Sequence, residues 1–525
     1  MKIDLSRVLD HSRQSRSLRN YLRTSAHLAI MITMIVVAGS FRPGTAYAAQ
    51  LWAGVAKADI TRREGGLVND PLYVKALVLK DENTTVVLIT LDAVAVAEIG
   101  WIKNDYLSKV RSQIAKELNI KPANILVNTS HCHGVVSSDV DQRTVQAVRE
   151  ATRDMVAVNV GAGSGFENRI MENRRVKLRS GRTADVRRAY PFPPDEEVAE
   201  VGPIDPQIGV LRLDRKNGQP LAVIYNFACH PIEGVPNGGN SADITGFASK
   251  VIEEDLGNDA LAFFVQGAAG DMNPVRYKSV DTPHDAEPLG DMLGLSAMRA
   301  VRTIQTRENA ELKIINETLE LPRANLAPQI ESLRAEQETA LQSLKGTNLN
   351  LKTFLRLVVK YRLFPEYPSD YSYEYLRDKM IGRDEWKTLD AENRKHMDLY
   401  LHNIYAMEEL TRIQTNLALL KMHQAQYEAA AKKTLEVEVV GIRVGDFVLI
   451  TFPGELTAPI GLKIKKLSPH PFTFVAGYTN GYIYYTPTAE QLKNVGHAQE
   501  DSDCLVAPEW EKLFESKAMS ILNRL

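Results

Sequence analysis

The stretch ILVNTSHCHG, residues 125–134, joins an apolar run of strand character directly to a pair of histidines. The same order recurs in AVIYNFACH (222–230), LAFFVQGAAGD (261–271) and FVLITFPGE (447–455), where polar residues of catalytic type again follow an apolar run. In an open α/β sheet, ligands bind at the carboxyl ends of the strands. The sequence therefore predicts an α/β fold whose functional site is assembled from these strand ends.

Strand-like and amphipathic segments alternate from Leu51 to about Arg323, which is the pattern of an α/β fold with a largely buried sheet. Helical spacing is clearest at Lys103–Glu117 and Thr144–Val160, between predicted strands. We expect a three-layer domain in which helices flank a mixed β-sheet. No fixed-period repeat is visible in the sequence.

The composition changes between about Leu326 and Lys433, where Glu, Gln, Ala, Leu and Lys recur at helical spacing. We predict a helical insertion over 326–433. The strand pattern returns at Leu435–Val440, Phe447–Phe452 and Phe472–Ala476, so we expect these strands to complete the sheet. Residues 49–525 are thus expected to form one α/β catalytic domain interrupted by the insertion.

The N-terminal segment has the three parts of a signal peptide in the order that export requires. Basic residues from Lys2 to Arg23 precede a short apolar stretch, Leu28–Ala38, and the letters AYA at 46–48 supply a cleavage site. The apolar stretch falls short of the ~20 residues that span a bilayer. We expect residues 1–48 to be removed and the protein to be periplasmic or secreted; an uncleaved membrane anchor is the alternative.

Charge and cysteine content limit the classes of partner and of crosslink. Lysines and arginines total 63 and aspartates and glutamates 65, so the net charge of −2 argues against a nucleic-acid partner. Three cysteines, Cys132, Cys229 and Cys504, are too few for a disulfide framework. Cys132 and Cys229 each adjoin a candidate ligand histidine. They could ligate a metal as thiolates or form a disulfide, but the simpler interpretation is that both are small buried residues.

Three residues at separate strand ends, His131, His230 and Glu455, offer the nitrogen and oxygen ligands of a catalytic zinc ion. In an extended segment, His131 and His133 point to the same face about 6–7 Å apart, so one can bind the metal while the other acts on substrate. Zinc lowers the pKa of bound water towards about 7, which makes hydroxide available without a protein nucleophile. An incidental histidine pair, or a core histidine in the case of His230, is the alternative.

Five short motifs occur in the order in which neutral ceramidases carry theirs: HCHG (131–134), NFACH (226–230), AGDMNP (269–274), PGE (453–455) and NGY (480–482). On this ordered set, the chain resembles the neutral/alkaline non-lysosomal ceramidase family from about Leu51 to Gln499. The resemblance implies Zn²⁺ bound by His131, His230, Glu455 and Tyr482. From the residues alone, Tyr482 belongs only to an aromatic strand and turn.

The resemblance also implies which side chains act on the substrate. His133 is expected to face the substrate carbonyl, and Arg174, in an Asn-Arg motif, to contact the substrate; Asn168-Arg169 offers a second match to that motif. Such donors stabilise the oxyanion of a tetrahedral intermediate. Asn273 stands where the ceramidases carry a serine, and its amide can still donate to an oxyanion or a substrate oxygen.

Other features depart from the ceramidase pattern. Leu492 and the letters GHA at 496–498 stand where ceramidases carry a tyrosine and a Tyr-Glu motif. The chain ends soon afterwards, so we expect a homologue of the catalytic domain without the family's C-terminal immunoglobulin-like domain. Substrate recognition is therefore expected to have diverged from that of ceramide.

Four small features have two interpretations each. Asp92 and Asp243 could orient a ligating histidine through its second ring nitrogen, or could be ordinary cap or turn residues. Gly267 and Gly270 could let the backbone approach the substrate, or could serve only a tight turn after a strand.

The predicted function is zinc-dependent hydrolysis of an amide-type bond in an N-acyl amide, such as N-acylsphingosine or another lipid amide. A zinc hydrolase of the same fold acting on an ester or a polar amide is the first alternative, and a non-catalytic ligand-binding protein of the envelope is the second. A lipid substrate calls for an apolar pocket lined from the insertion and allows a peripheral membrane contact; a polar substrate calls for charged groups there. The insertion holds both kinds of residue, namely Phe354, Leu357 and Phe364, and Lys360, Arg362 and Arg377. The sequence leaves this choice and the oligomeric state open.

Overall fold

The computed structural model describes residues 50–186, 193–308, 310–365, 373–494 and 496–525. The predicted signal peptide, residues 1–48, lies outside the described residues. Within the described ranges, none of the helices is both long enough and apolar enough to cross a membrane.

Strands and helices alternate along much of the chain, which confirms the predicted α/β class. The strands are β1 (Trp52–Asp59), β2 (Tyr73–Lys80), β3 (Thr85–Leu91), β4 (Ile125–Thr129), β5 (Val156–Phe166), β6 (Met171–Asn173), β7 (Arg175–Leu178), β8 (Thr183–Asp185), β9 (Val198–Val201), β10 (Gln207–Arg215), β11 (Pro220–Phe227), β12 (Leu261–Gln266), β13 (Met272–Pro274), β14 (Leu312–Pro322), β15 (Thr434–Val444), β16 (Phe447–Thr451), β17 (Glu455–Leu456), β18 (Phe472–Ala476) and β19 (Tyr485–Thr486). The helices are α1 (Tyr106–Leu118), α2 (Val140–Arg153), α3 (Asp243–Leu256), α4 (Ala286–Val301), α5 (Ala327–Ser343), α6 (Leu351–Leu363), α7 (Tyr373–Met380), α8 (Glu385–Ala429), α9 (Ala458–Leu467), α10 (Gln499–Ser502) and α11 (Trp510–Leu522).

The larger sheet is mixed, with eight strands in the order β12-β11-β10-β5-β1-β2-β3-β4. The pairs β3–β4 and β11–β12, at the two edges, are parallel, and the other pairs are antiparallel. The predicted helix Thr144–Val160 is wrong in its second half, because α2 ends at Arg153 and β5 begins at Val156. Valines at 156, 158 and 160 alternate with other residues, which is the period of a strand, and β5 pairs with β10 over most of its length.

The two edges of this sheet approach each other, so that β4 and β12 are neighbours in space. The backbone N–H of Gln266, at the end of β12, donates to the side-chain oxygen of Asn128 in β4 at 2.9 Å. The side-chain amide of Gln266 donates to the carbonyl oxygens of Ser130 at 2.9 Å and Cys229 at 2.8 Å. These bonds hold the carboxyl ends of β4, β11 and β12 together, and the loops that follow the three strands therefore meet.

The strands that follow the insertion do not complete the larger sheet, so that expectation is wrong. They form a second sheet, in the order β14-β15-β16-β18. Strand β14, which precedes the insertion, pairs antiparallel with β15 from Leu312↔Val444 to Pro322↔Thr434. Strand β15 therefore has β14, and not a strand of the larger sheet, as a hydrogen-bonding partner. The insertion is the connection between these two neighbouring strands.

Helices α5, α6, α7 and α8 make up a helical arm within residues 327–429, inside the predicted range of 326–433. Helix α8 is 45 residues long. Helix α5 packs along the C-terminal part of α8, where Leu333 and Leu417 belong to a small separate core. Helix α6 packs nearer the other end, where the rings of Phe354 and Tyr400 stack with centroids 4.6 Å apart.

The layers run helix, sheet, sheet, helix. Apolar side chains of both sheets, such as Leu88 and Phe474, share one core. Alternate residues of the larger sheet, such as Ile89, face α1 and α2 in another core. Trp510 and Phe514 of α11 pack on the smaller sheet. The predicted mixed sheet flanked by helices is confirmed, and the smaller sheet adds one layer to it.

Candidate metal centre

The side chains of His131, His230 and Glu455 converge at strand ends of both sheets. His131 follows β4, His230 follows β11, and Glu455 lies four residues after the end of β16. Their ligand atoms all lie within 4.8 Å of one another. Each of the three residues is at most 3% exposed. The three residues that the sequence analysis grouped as candidate metal ligands are therefore brought together.

The loop that carries the histidine pair is turned rather than extended. His131 has a φ of 68°, in the left-handed region, and its backbone N–H donates to the carbonyl of Ala93 at 3.0 Å. The expected extended geometry is therefore wrong. The rings of His131 and His133 nevertheless lie edge to face with centroids 5.6 Å apart, and both side chains line the same cavity.

Backbone carbonyl groups orient the two buried histidines. Nδ1 of His131 lies 2.7 Å from the carbonyl oxygen of Val94, and Nδ1 of His230 lies 2.9 Å from that of Met272. Because a carbonyl oxygen can only accept, each Nδ1 carries the proton and each Nε2 presents its lone pair. The Nε2 atoms are therefore in the form that ligates a metal ion.

The hypothesis that Asp92 or Asp243 orients a ligating histidine is wrong. Asp92 accepts from the backbone N–H of Tyr73 at 2.9 Å. Asp243 accepts from three backbone N–H groups between residues 233 and 244. Burial raises the pKa of both carboxyl groups to about 6. The Nδ1 atoms of both histidines are already bonded to backbone carbonyl groups. The two aspartates instead stabilise the backbone of neighbouring segments.

The carboxylate of Glu455 lies against both Nε2 atoms, with Oε1 3.5 Å from that of His131 and Oε2 3.0 Å from that of His230. Two imidazole lone pairs thus face a carboxylate, an arrangement of electron-rich groups that a cation stabilises. Burial favours the protonated acid, but positive charge on His131 and His230 opposes the effect of burial and holds the pKa of Glu455 below its usual range, as a cation bound at their Nε2 atoms also would. Burial lowers the pKa of His131 to about 4.

Two tyrosines donate to the same carboxylate. The Tyr482 hydroxyl lies 2.5 Å from Oε1 of Glu455, and the Tyr478 hydroxyl lies 3.1 Å from Oε2. Burial and the nearby carboxylate raise the pKa of both phenols well above their ordinary value. Tyr482 was expected here from the family resemblance alone. Tyr478 was missed, because nothing in the aromatic run 478–485 separates one tyrosine from another.

Arg174 is buried, lines the cavity and is fixed by several partners. Its guanidinium donates to Oδ1 of Asn273 at 2.7 Å, to the carbonyl of Gly270 at 2.6 Å, and to the carboxylate of Glu500. The guanidinium carbon lies 5.4 Å from the centre of the Tyr485 ring. Sequence reasoning missed Glu500, which lies 326 residues away along the chain.

Arg169, the alternative arginine, and Asn273, the candidate asparagine, are not among the described residues that line the cavity. Arg169 pairs with Glu167 and has a side chain that is 55% exposed. Asn273 is 1% exposed. The expected contact between Asn273 and a substrate stays a prediction; its side-chain oxygen accepts a hydrogen bond from Arg174, which does line the cavity.

The metal-centre residues line a cavity of about 830 Å³. His133, Tyr484 and Tyr485 line it, and the helical arm contributes Leu419 and Met422 of α8. The other arm residues considered from sequence are not among the described lining residues, because α6 and α7 contact α8 far from this point. The remaining lining residues include Ile99, Ile232, Val235, Glu98, Asp503, His284 and Glu233.

One acidic residue of the lining is incompletely bonded. Glu233 is 7% exposed, and its Oε2 has no hydrogen-bond partner within the described part of the chain. Its Oε1 lies 3.6 Å from Nδ1 of His284. The lining thus combines apolar and aromatic side chains with a buried carboxylate, one oxygen of which has no hydrogen-bond partner among the described residues.

The cysteines take no part in a crosslink. Cys132, Cys229 and Cys504 are free and buried, and burial raises the pKa of each thiol. This agrees with the interpretation of small buried residues, and the candidate ligand group found among the described residues, His131, His230 and Glu455, contains no cysteine.

Gly270 lets the chain pass directly against the backbone of the metal centre. A Cβ atom on residue 270 would lie 2.4 Å from the carbonyl oxygen of Glu455 and 3.0 Å from that of Leu456. Residue 270 thus needs to be glycine because its backbone lies against that of Glu455 and Leu456. An approach of the backbone to substrate is not required to explain this glycine.

We therefore expect Gly270→Ala to displace Glu455 and to weaken metal binding at least tenfold. Mutation of the residues that hold metal ligands in place typically lowers metal affinity by about 10–100-fold. Isothermal titration of the metal-free protein with Zn²⁺ measures this. Gly346→Ala is the matched control, since no atom lies within 4 Å of the added Cβ. Equal affinities in the two variants would contradict the expectation.

Fold and site together define an α/β protein with a buried His-His-Glu centre of the kind that can hold a catalytic metal ion. Its fold is that of the neutral ceramidases. A crystal structure of the neutral ceramidase from Pseudomonas aeruginosa aligns with a TM-score of 0.56 at 16% identity, over 91% of this chain and 75% of that one. A structure described as a ceramidase complexed with C2 aligns with a TM-score of 0.57 at 17% identity, with the same coverage. No protein-family model and no curated protein matches the sequence.

Proposed function

We propose that the protein is a zinc-dependent hydrolase of an amide-type bond. The observation that supports this most strongly is the convergence of two Nε2 lone pairs and one carboxylate in a cavity of a neutral ceramidase-like fold. Nitrogen and oxygen ligands from three side chains are the typical protein contribution to a catalytic zinc site. His131, His230 and Glu455 would hold Zn²⁺, with Tyr482 as the fourth protein ligand.

The bound ion would polarise the substrate carbonyl and make water a nucleophile at neutral pH. The chain's own residues would supply the remaining functions. His133 lines the cavity next to His131 and would donate to the carbonyl oxygen as negative charge develops on it. Arg174 would present a guanidinium whose position is already set by Asn273 and Glu500. A preset donor costs no reorganisation during the reaction, which is the basis of oxyanion stabilisation.

We propose a lipid amide, such as an N-acylsphingosine, as the substrate class. The likeness to ceramidase structures supports an amide substrate. The apolar and aromatic part of the lining suits a hydrocarbon chain, and the acidic residues of the lining suit a hydroxyl or amine on the same molecule. An ester or a polar amide remains the alternative, favoured by the acidic residues of the cavity, Glu98, Glu233 and Asp503.

We also propose that the protein is exported, to the periplasm or the medium, on the basis of the signal-peptide pattern in residues 1–48. Hydrolysis would then take place outside the cytoplasm. A ligand-binding protein without turnover is the competing hypothesis. The four candidate ligand side chains disfavour it, because each is chemically able to hold the metal ion.

The decisive experiment combines metal analysis with a substrate panel. We expect about one zinc per chain in the purified protein and hydrolysis of N-acyl amides that stops on chelation and returns with Zn²⁺. Matched amides and esters with the same acyl chain identify the bond. Folded protein that takes up no zinc would refute the mechanism, and protein that binds zinc but hydrolyses nothing would favour the ligand-binding alternative.

A further inference from the structure

The helical arm exposes an unusual apolar row on α6. Leu351, Leu355, Val359 and Leu363, spaced four residues apart, are 59%, 54%, 59% and 67% exposed. A four-residue spacing places side chains along one side of a helix. A surface helix of a globular protein normally turns such a row inward. This row instead faces solvent along the whole length of α6.

The opposite side of α6 is the one that packs. Phe354 stacks on Tyr400 of α8, and Tyr361 lies under the guanidinium of Arg394, 4.4 Å from its ring centre. Both Phe354 and Tyr361 are buried. Helix α6 is therefore fully docked on α8 through its aromatic side, and its exposed apolar row is not needed for folding of the arm.

The charges on α6 are all of one sign. Lys352, Arg356 and Lys360 each follow a member of the apolar row by one position, and Arg362 lies within the exposed face. The helix sequence, residues 351–363, contains no aspartate or glutamate. A helix with an apolar row flanked by lysines and arginines alone is the pattern of a segment that lies in the interface of an anionic membrane.

We propose that this exposed face of α6, the apolar row with the exposed basic residues Lys352, Arg356 and Arg362, docks the protein on an anionic lipid membrane. The apolar side chains would enter the acyl boundary, and the basic side chains would contact lipid phosphate groups. The next helix along the chain, α7, also exposes Leu376 at 63% and Met380 at 86%. A second copy of this chain is a less fitting occupant, because two such faces would bring like charges together.

The place of α6 on the arm separates docking from catalysis. Tyr400, which contacts α6, and Met422, which lines the cavity, are 22 positions apart on α8, or roughly 33 Å at the rise of an α-helix. Docking would hold the enzyme at the membrane without forming the cavity wall. Changes on α6 should therefore leave hydrolysis of a soluble amide unchanged.

The test is sedimentation of the purified protein with vesicles of equal parts phosphatidylglycerol and phosphatidylcholine, and with phosphatidylcholine vesicles alone. We expect binding to the anionic vesicles only, weakened by salt because the lipid charge is screened. The Leu355→Ser/Val359→Ser double variant and the Arg356→Gln/Arg362→Gln double variant should each bind at least tenfold more weakly. The Leu295→Ser/Leu513→Ser variant is the control, since it removes two exposed leucines outside the arm.

Two results would overturn the proposal. One is an absence of the expected difference: either the wild-type protein fails to bind anionic vesicles, or the α6 variants bind them as tightly as the wild-type protein does. The other is self-association in sedimentation equilibrium that Leu355→Ser/Val359→Ser abolishes, which would assign the face to a second copy of the chain. Hydrolysis of a short soluble N-acyl amide is measured in parallel, so that failure of the hydrolase hypothesis is seen separately from failure of docking.

Discussion

The Glu455→Gln variant should fold normally, bind no zinc and lose at least a hundredfold in amide hydrolysis, more than the 10–100-fold effect of an outer partner of a metal ligand. The substitution keeps the volume of a fully buried side chain. In the metal-free protein, the new amide group can donate to the Nε2 lone pair of His131 or His230, which the carboxylate cannot do. Metal binding and folding stability are therefore expected to change in opposite directions.

Thermal unfolding with and without Zn²⁺ checks this expectation. A thousandfold excess of zinc over its Kd should stabilise the wild-type protein by about 4 kcal/mol, and this shift should vanish in Glu455→Gln. Tyr482→Phe and Tyr478→Phe form a matched pair, since both hydroxyls donate to Glu455. If Tyr482 is a metal ligand, only its removal should weaken zinc binding strongly. A Glu455→Gln variant that keeps zinc and activity would exclude the proposed centre.

The second large effect is expected from Glu500→Ala, which should lower the free energy of unfolding by about 3–5 kcal/mol. Glu500 is fully buried, accepts from Arg174 and lies 3.5 Å from Arg175. Its removal leaves buried guanidinium charge without its partner, which costs far more than an exposed ion pair contributes. Hydrolysis should fall as well, because Arg174 loses the contact that fixes its place in the cavity wall.

The Arg174→Met/Glu500→Leu double variant separates the two roles. Replacing a buried ion pair by apolar residues of similar volume is often neutral for stability, so part of the lost stability should return. Activity should stay low, because the guanidinium is gone. Urea unfolding and hydrolysis of the same amide measure the two properties. A Glu500→Ala protein within about 1 kcal/mol of wild type would show that Arg174 does not need this partner.

The sequence determined the parts of the fold that depend on neighbouring residues. The apolar run 472–476 became β18 with the predicted bounds, because burial on both faces of a strand gives a continuous apolar run. The position of the candidate ligands directly after such runs was readable for the same local reason. At Val156–Phe166, the overlap of apolar residues with the end of an amphipathic helix concealed a strand.

Only the tertiary structure decided how these segments meet. The bonds of Gln266 to Asn128 and Ser130 join sheet edges about 136–138 residues apart, and Glu500 reaches Arg174 across 326 residues. The carbonyl groups of Val94 and Met272, which orient the histidines, carry no side-chain signal at all. The candidate ligand residues could thus be identified from local sequence patterns. Their geometry, the smaller sheet and the choice of Arg174 over Arg169 came from long-range contacts, whose energies depend on the packed fold rather than on any stretch of sequence.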